Sequence, residues 1–145
     1  GMTQLTGGID FVWTNKTTIP VSEFIYCASA VINNNIYVFG GSPRTLAYKY
    51  DPTVNTWTRL ADAPFGTTEG GAAVINGKIY LVGHPSINNI QIYDPITNSW
   101  TVGAPIPTPR RGPAVAVANG KLYVIGGNDG SSGSSIPIAI VEMYD

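Results

Sequence analysis

Asn119-Gly120-Lys121-Leu122-Tyr123-Val124-Ile125-Gly126-Gly127 sets a turn, an apolar run and a glycine pair in direct succession. Asn-Gly tolerates the positive φ of a tight hairpin turn, and the β-branched and aromatic run suits a pleated, largely buried strand. The closing glycines let the backbone bend where a side chain would collide. The same stretch recurs as Asn76-Gly77-Lys78-Ile79-Tyr80-Leu81-Val82-Gly83-His84, 43 positions earlier, and as Asn33-Asn34-Asn35-Ile36-Tyr37-Val38-Phe39-Gly40-Gly41, another 43 before that. A repeat of this length implies stacked supersecondary units rather than one irregular core.

Each copy predicts up to four strands, a to d. The middle copy assigns them to 71–75, 78–83, 89–94 and 99–102, and the first copy to 28–32, 35–40, 46–51 and 56–60. Tyr50-Asp51-Pro52 and Tyr93-Asp94-Pro95 keep the 43-residue spacing, as do Trp57 and Trp100. In both, Asp-Pro followed by Asn-Thr or Asn-Ser makes the turn into strand d. The third copy supplies a, b and c at 114–118, 121–126 and 139–144 and no d. At the other end, Asp10-Phe11-Val12-Trp13-Thr14 reads as a strand d without the rest of its unit. Trp13 lies 44 positions before Trp57, and Ile19-Pro20 matches Ala63-Pro64.

The composition agrees with an all-β chain. Charged residues make up 12% of the 145, about half the usual share, and Gly, Pro, Thr, Asn and aromatics are abundant. Net charge is −1, and no Lys/Arg run is present to follow a phosphate backbone or an anionic membrane, so nucleic acid and membrane are not expected partners. The start shows no charged n-region and no h-region, which makes a cytoplasmic location the expectation. Gly1 ahead of Met2 reads as a residue left by tag removal, with 1–9 as remnant and leader and 10–145 as the repeats. Cys27 is the one cysteine; it is expected to be a small buried residue at the start of its strand.

The glycine pair, the Tyr-Asp-Pro, the Trp about six residues on and the Pro-x-Pro-Arg element at 107–110 together resemble the kelch repeat. That resemblance implies a β-propeller in which each repeat is one four-stranded blade. It also implies that the Tyr and Trp are structural, packing between blades. Two departures are visible: His84 stands where the second glycine belongs, and the Pro-x-Pro-Arg arginine occurs only as Arg110.

Rings of this kind have four to eight blades, and three leave two apolar flanks and a bare sheet edge open to water. A homodimer closed by a two-fold axis, forming one six-bladed propeller in which strand d of each chain completes the last blade of the other, would satisfy both. A piece of a longer kelch protein is the alternative.

In kelch propellers the d-to-a and b-to-c loops share the face on which relatives commonly bind ligands. Register along the repeats sets Tyr26, Glu69 and Gly112 at one level of that rim, and Ile25, Thr68 and Arg111 at the next. Phe24, Thr67 and Arg110 come one step earlier, and the b-to-c loops add Arg44, His84, Pro85, Asn128 and Asp129. The candidate ligand residues are therefore Tyr26, Arg44, Glu69, His84, Arg110 and Arg111, a mixture suited to a protein partner or a small acidic ligand. Glu69 is expected to pair with an arginine across the mouth, and Arg110, on the repeat pattern, to bond loop carbonyls. His84 replaces a glycine where positive φ is expected. The Gly/Ser-rich insertion 128–137 reads as a flexible surface loop.

Enzymatic readings are weaker. The galactose-oxidase branch of the family uses a copper centre with two histidines, and this chain has one. Nucleophile, phosphate-loop and zinc motifs are missing, so no catalytic residue, metal or cofactor is expected. A sugar-acid mutarotase, of the kind found among bacterial kelch propellers, needs only a carboxylate or imidazole beside an arginine-held sugar acid. It is the enzymatic alternative to a non-catalytic binding module.

Overall fold

The structure is a computed structural model that describes residues 11–67, 69–84, 86–131 and 133–145. Asp10, the leader 1–9, and the rim residues Thr68 and Pro85 lie outside the described residues.

β-Strands are the regular elements throughout, and no helix among the described residues is long and apolar enough to cross a membrane. The first sheet holds β1 (Ala28–Ile32), β2 (Asn35–Gly40), β3 (Leu46–Asp51) and β4 (Thr56–Arg59) in sequence order. The second repeats it with β5 (Gly71–Ile75), β6 (Lys78–Val82), β7 (Asn89–Asp94) and β8 (Ser99–Pro105). The third has β9 (Ala114–Ala118), β10 (Lys121–Ile125) and β11 (Val141–Tyr144), leaving β11 at an edge. All pairings are antiparallel.

Both a–b hairpin turns of the Asn-Gly type carry their residues at positive φ, 49° and 74° at Asn76-Gly77 and 50° and 72° at Asn119-Gly120. Asn33-Asn34 does the same at 49° and 62° without a glycine. Gly83, at φ 129°, lies so close to strand a that an added Cβ would come within 2.6 Å of the Gly70 Cα.

Innermost strands β1, β5 and β9 are neighbours in that order, so the blades fan out around a common axis. Two cores fill the gaps. Ala28, Tyr37, Phe39, Ala47, Ile79, Leu81 and Tyr93 join the first blade to the second. Val82, Ile90, Ile106, Leu122 and Val124 join the second to the third. Tyr93 is so enclosed that burial, then the neighbouring Tyr37 and Asp94, push its phenol up to about 12.

Asn and Trp of each last strand lock the blades. Asn98 Oδ1 accepts from the Tyr93 hydroxyl at 2.7 Å and from the Ala61 N–H at 2.9 Å, while Trp100 Nε1 donates to the Ala61 carbonyl at 2.8 Å. In the first blade, Asn55 accepts from Tyr50 and from Thr17 N–H, and Trp57 Nε1 donates to the Thr17 carbonyl. Thr17 thus sits on blade one as Ala61 sits on blade two.

Residues 11–14, expected to pair with a second copy, form no strand within the single chain, and Phe11, Val12 and Trp13 are exposed. Two expectations are corrected. β8 runs three residues further than predicted, with an irregularity between Asn89 and Gln91 that re-pairs Asn89 with Pro105. Cys27 is exposed, since the inward residue at the start of β1 is Ala28.

Candidate ligand-binding rim

The loops entering strands a and those joining b to c meet on one face. In the first blade, Gly41 N–H donates to the Ile25 carbonyl and Ser42 N–H to the Glu23 carbonyl, at 3.0 and 3.1 Å. In the third, Arg111 and Asn128 exchange both backbone bonds, at 2.8 and 2.9 Å. Neighbouring blades are stitched on the same face, through Thr67 N–H to the Arg44 carbonyl and a bridge between His84 and Arg110.

Tyr26, Glu69 and Gly112 hold the same place in the three repeats, and all three are left-handed, with φ 54°, 49° and 65°. Glycine adopts this conformation freely; tyrosine and glutamate do so at a cost of about 1–3 kcal/mol each. From these turns both side chains reach arginines of the rim loops. Arg111 reaches Glu69 with two bonds, Nε to Oε2 and Nη2 to Oε1, each 3.1 Å. The guanidinium carbons of Arg44 and Arg111 lie 5.1 and 5.8 Å from the centre of the Tyr26 ring, within cation–π range. One tyrosine, two arginines and one carboxylate, drawn from loops of all three blades, form a single half-exposed cluster with an excess of positive charge.

His84 lies apart from that ring contact and does a different job. Its Nδ1 accepts from the backbone N–H of Ser86 and Ile87, at 3.0 and 3.1 Å, which ties down the start of the second b-to-c loop. Burial, then the charge of Arg44, hold its pKa below the usual histidine value, so the imidazole is neutral at pH 7. It also does not take the positive φ of Gly41 and Gly127, a correction to the expectation drawn from the glycine it replaces. The loop takes a different path there, with the imidazole capping two N–H groups.

The Arg110 side chain is withdrawn from the rim. It is wholly buried. Its guanidinium donates to the carbonyls of Gly126 and Ile140 at 2.9 and 2.7 Å, to that of Thr108 at 3.3 Å, and to Glu142. Thr108 N–H also donates to Glu142 Oε2. Burial raises the Glu142 carboxyl, but the Thr108 bonds and Arg110 outweigh it and bring the pKa below its ordinary value.

The second blade makes the matching backbone bond with a neutral residue, Phe65 N–H to Gln91 Oε1 at 2.9 Å. In the sequence Gln91 and Glu142 are legible only as one face of strand c, at equivalent positions displaced by the insertion, and not as partners of the d-to-a loops. Thr67, matching Arg110, is buried with its hydroxyl unpartnered among the described atoms.

The insertion is pinned at its base. Asn128 bridges both Arg111 and Pro137. Asp129 Oδ1 accepts from the N–H groups of Ser131 and Ile136 and from the Ser131 hydroxyl, bonds that lower its carboxyl pKa. Among the described residues, no group of three His, Cys, Asp or Glu is arranged to hold a metal ion.

The Kelch motif model matches residues 24–64, 67–107 and 109–145, one match per blade. Among solved structures, that titled "Structure of YjhT" is 33% identical over 75% of the chain, with a TM-score of 0.69. The match spans 35% of that structure's own length. No curated protein matches the chain.

Proposed function

Because the chain belongs to the kelch family, we propose that it is a non-catalytic binding module of a β-propeller, which takes a carboxylate-bearing partner on the rim formed by its d-to-a and b-to-c loops. The observation that carries this reading is the convergence of Arg44 and Arg111 on Tyr26, beside Glu69. Arginines offer planar, paired donors to a carboxylate, the tyrosine gives an amphipathic surface, and Glu69 holds Arg111 oriented until a ligand carboxylate replaces it. Strain at two left-handed side chains supports a role beyond folding.

The module is half of a six-bladed ring closed by a second copy, so that each rim residue occurs twice around the mouth. The fit of three blades against the usual ring size supports this reading.

The test is calorimetric titration with an acidic octapeptide and with a panel of sugar acids. Arg44→Ala and Arg111→Ala should each weaken binding by about tenfold or more, the order of one charge-assisted hydrogen bond. Unchanged affinity in both variants would reject the rim as the site. Proton NMR on the same sugar acids follows anomer exchange; acceleration that depends on Glu69 would replace the binding module with the mutarotase reading.

A further inference from the structure

Resting on the acid-binding rim just proposed and going further into its chemistry, we infer that the His84 Nε2–H is a ligand donor at that rim, giving one hydrogen bond to a neutral oxygen that the acid carries besides its carboxylate. Nδ1 already accepts two backbone N–H groups, from Ser86 and Ile87. A neutral imidazole whose Nδ1 lone pair is used in this way keeps its proton on Nε2, so the distal nitrogen donates and cannot accept. Among the described residues it has no partner, and it is not closed off from water as the Thr67 hydroxyl is. The backbone sets this donor beside the charged cluster. Gly83, just before His84, packs against Gly70, which follows Glu69. His84 itself bridges to Arg110, which precedes Arg111. The start of the loop is thus held between the neighbours of the Glu69–Arg111 pair, and the charge of Arg44 is felt at the imidazole.

A loop cap alone does not call for histidine. Asparagine makes such bonds through its side-chain oxygen, and the third b-to-c loop uses it. Asn128 Oδ1 accepts from the Gly130 N–H, two residues on, at 2.9 Å, as His84 accepts from Ser86. What histidine adds is the second nitrogen. Arg44 and Arg111 supply charged, planar donors for a carboxylate, and a neutral donor beside them suits a hydroxyl, ring or carbonyl oxygen. Uronic acids and acidic peptides both carry such oxygens next to their carboxylates. A plain aliphatic acid has none.

The test is NMR titration of the native chain, His84→Asn and Arg44→Ala with glucuronate, an acidic octapeptide and butyrate. In the native chain, long-range proton–nitrogen correlation should show the His84 proton on Nε2, and glucuronate or the octapeptide should shift the Nε2 resonance. His84→Asn keeps the cap and loses the distal donor. Its thermal midpoint should stay near the native one, while its affinity for the oxygen-bearing acid falls about fivefold, the order of one neutral hydrogen bond, and its affinity for butyrate is unchanged. The arm that shows the loss, sugar acid or peptide, names the source of the oxygen. A proton on Nδ1, an unmoved Nε2 resonance, native affinity of His84→Asn for both oxygen-bearing acids, or an equal loss on all three probes would overturn the donor while Arg44→Ala still weakens binding and the rim stands. If Arg44→Ala alters no affinity, or no probe binds the native chain, the rim itself falls and this donor with it.

Discussion

Arg110 and Glu142 form an ion pair in the third blade at the two positions that Thr67 and Gln91 occupy in the second and that Phe24 and Tyr48 occupy in the first. Phe24 and Tyr48 meet edge to face at 6.2 Å. One loop-to-strand junction is therefore built in three chemistries: aromatic, neutral polar and ionic. The ionic version holds the most buried charge among the described residues, and its arginine spends its donors on the blade itself.

Breaking that pair from one side leaves a charge buried without its partner, at a cost of about 3–5 kcal/mol. Arg110→Thr should show this loss in urea unfolding at fixed protein concentration. Adding Glu142→Gln, which copies the second blade, should recover most of it. No recovery would mean that Arg110 acts through its carbonyl bonds rather than through Glu142.

Backbone strain at the rim makes an unusual demand. Glu69→Gly relieves a left-handed residue worth about 1–3 kcal/mol and loses a half-exposed ion pair worth at most about 1 kcal/mol. Its stability should match or exceed that of the native chain, whereas Glu69→Val should fall by about 1–3 kcal/mol. Thermal unfolding separates the two. Because the carboxylate competes for Arg111, Glu69→Gly should also bind acidic ligands more tightly, by several-fold.

His84 is the only histidine, so its ring signals in proton NMR report one site. The midpoint should lie below 6.5, because protonation takes place against burial and Arg44. With the folded pKa below the unfolded one, the unfolded chain binds the proton first. The contribution to stability is whole above pH 6.5 and shrinks as pH falls from there to the folded midpoint. His84→Gly should flatten the stability profile in that window; an unaltered profile would assign the acid sensitivity elsewhere.

Asn98 serves two blades at once, accepting from Tyr93 and from Ala61 at a φ of 48°. Asn98→Ala loses both bonds and puts alanine in a left-handed turn that asparagine tolerates better, a loss of about 2–3 kcal/mol. Asn98→Gly keeps the turn and should lose less. Equal losses in denaturant titrations would show that the turn conformation contributes nothing.

The strands were legible because their signals are local. Turn residues, alternation and the Trp spacing repeat, and β1, β5, β7 and β9 begin and end where the period put them. The departure came where a distant partner decides: β8 extends to Pro105 because Asn89 offers it a partner across an irregular register. Among site residues, Tyr26, Arg44, Glu69 and Arg111 meet, while Arg110 turns inward and His84 caps a loop.

By itself the sequence determined the repeat, the class of fold and the level of each rim residue, since a 43-residue period and residue-specific φ preferences act over short range. Tertiary structure alone decided the fates of Arg110 and Arg111. They are adjacent in the chain, but along extended backbone neighbouring side chains face opposite ways. Which faced the carbonyls of Gly126 and Ile140, and which faced Glu69, was settled by the blade and loop that closed around them.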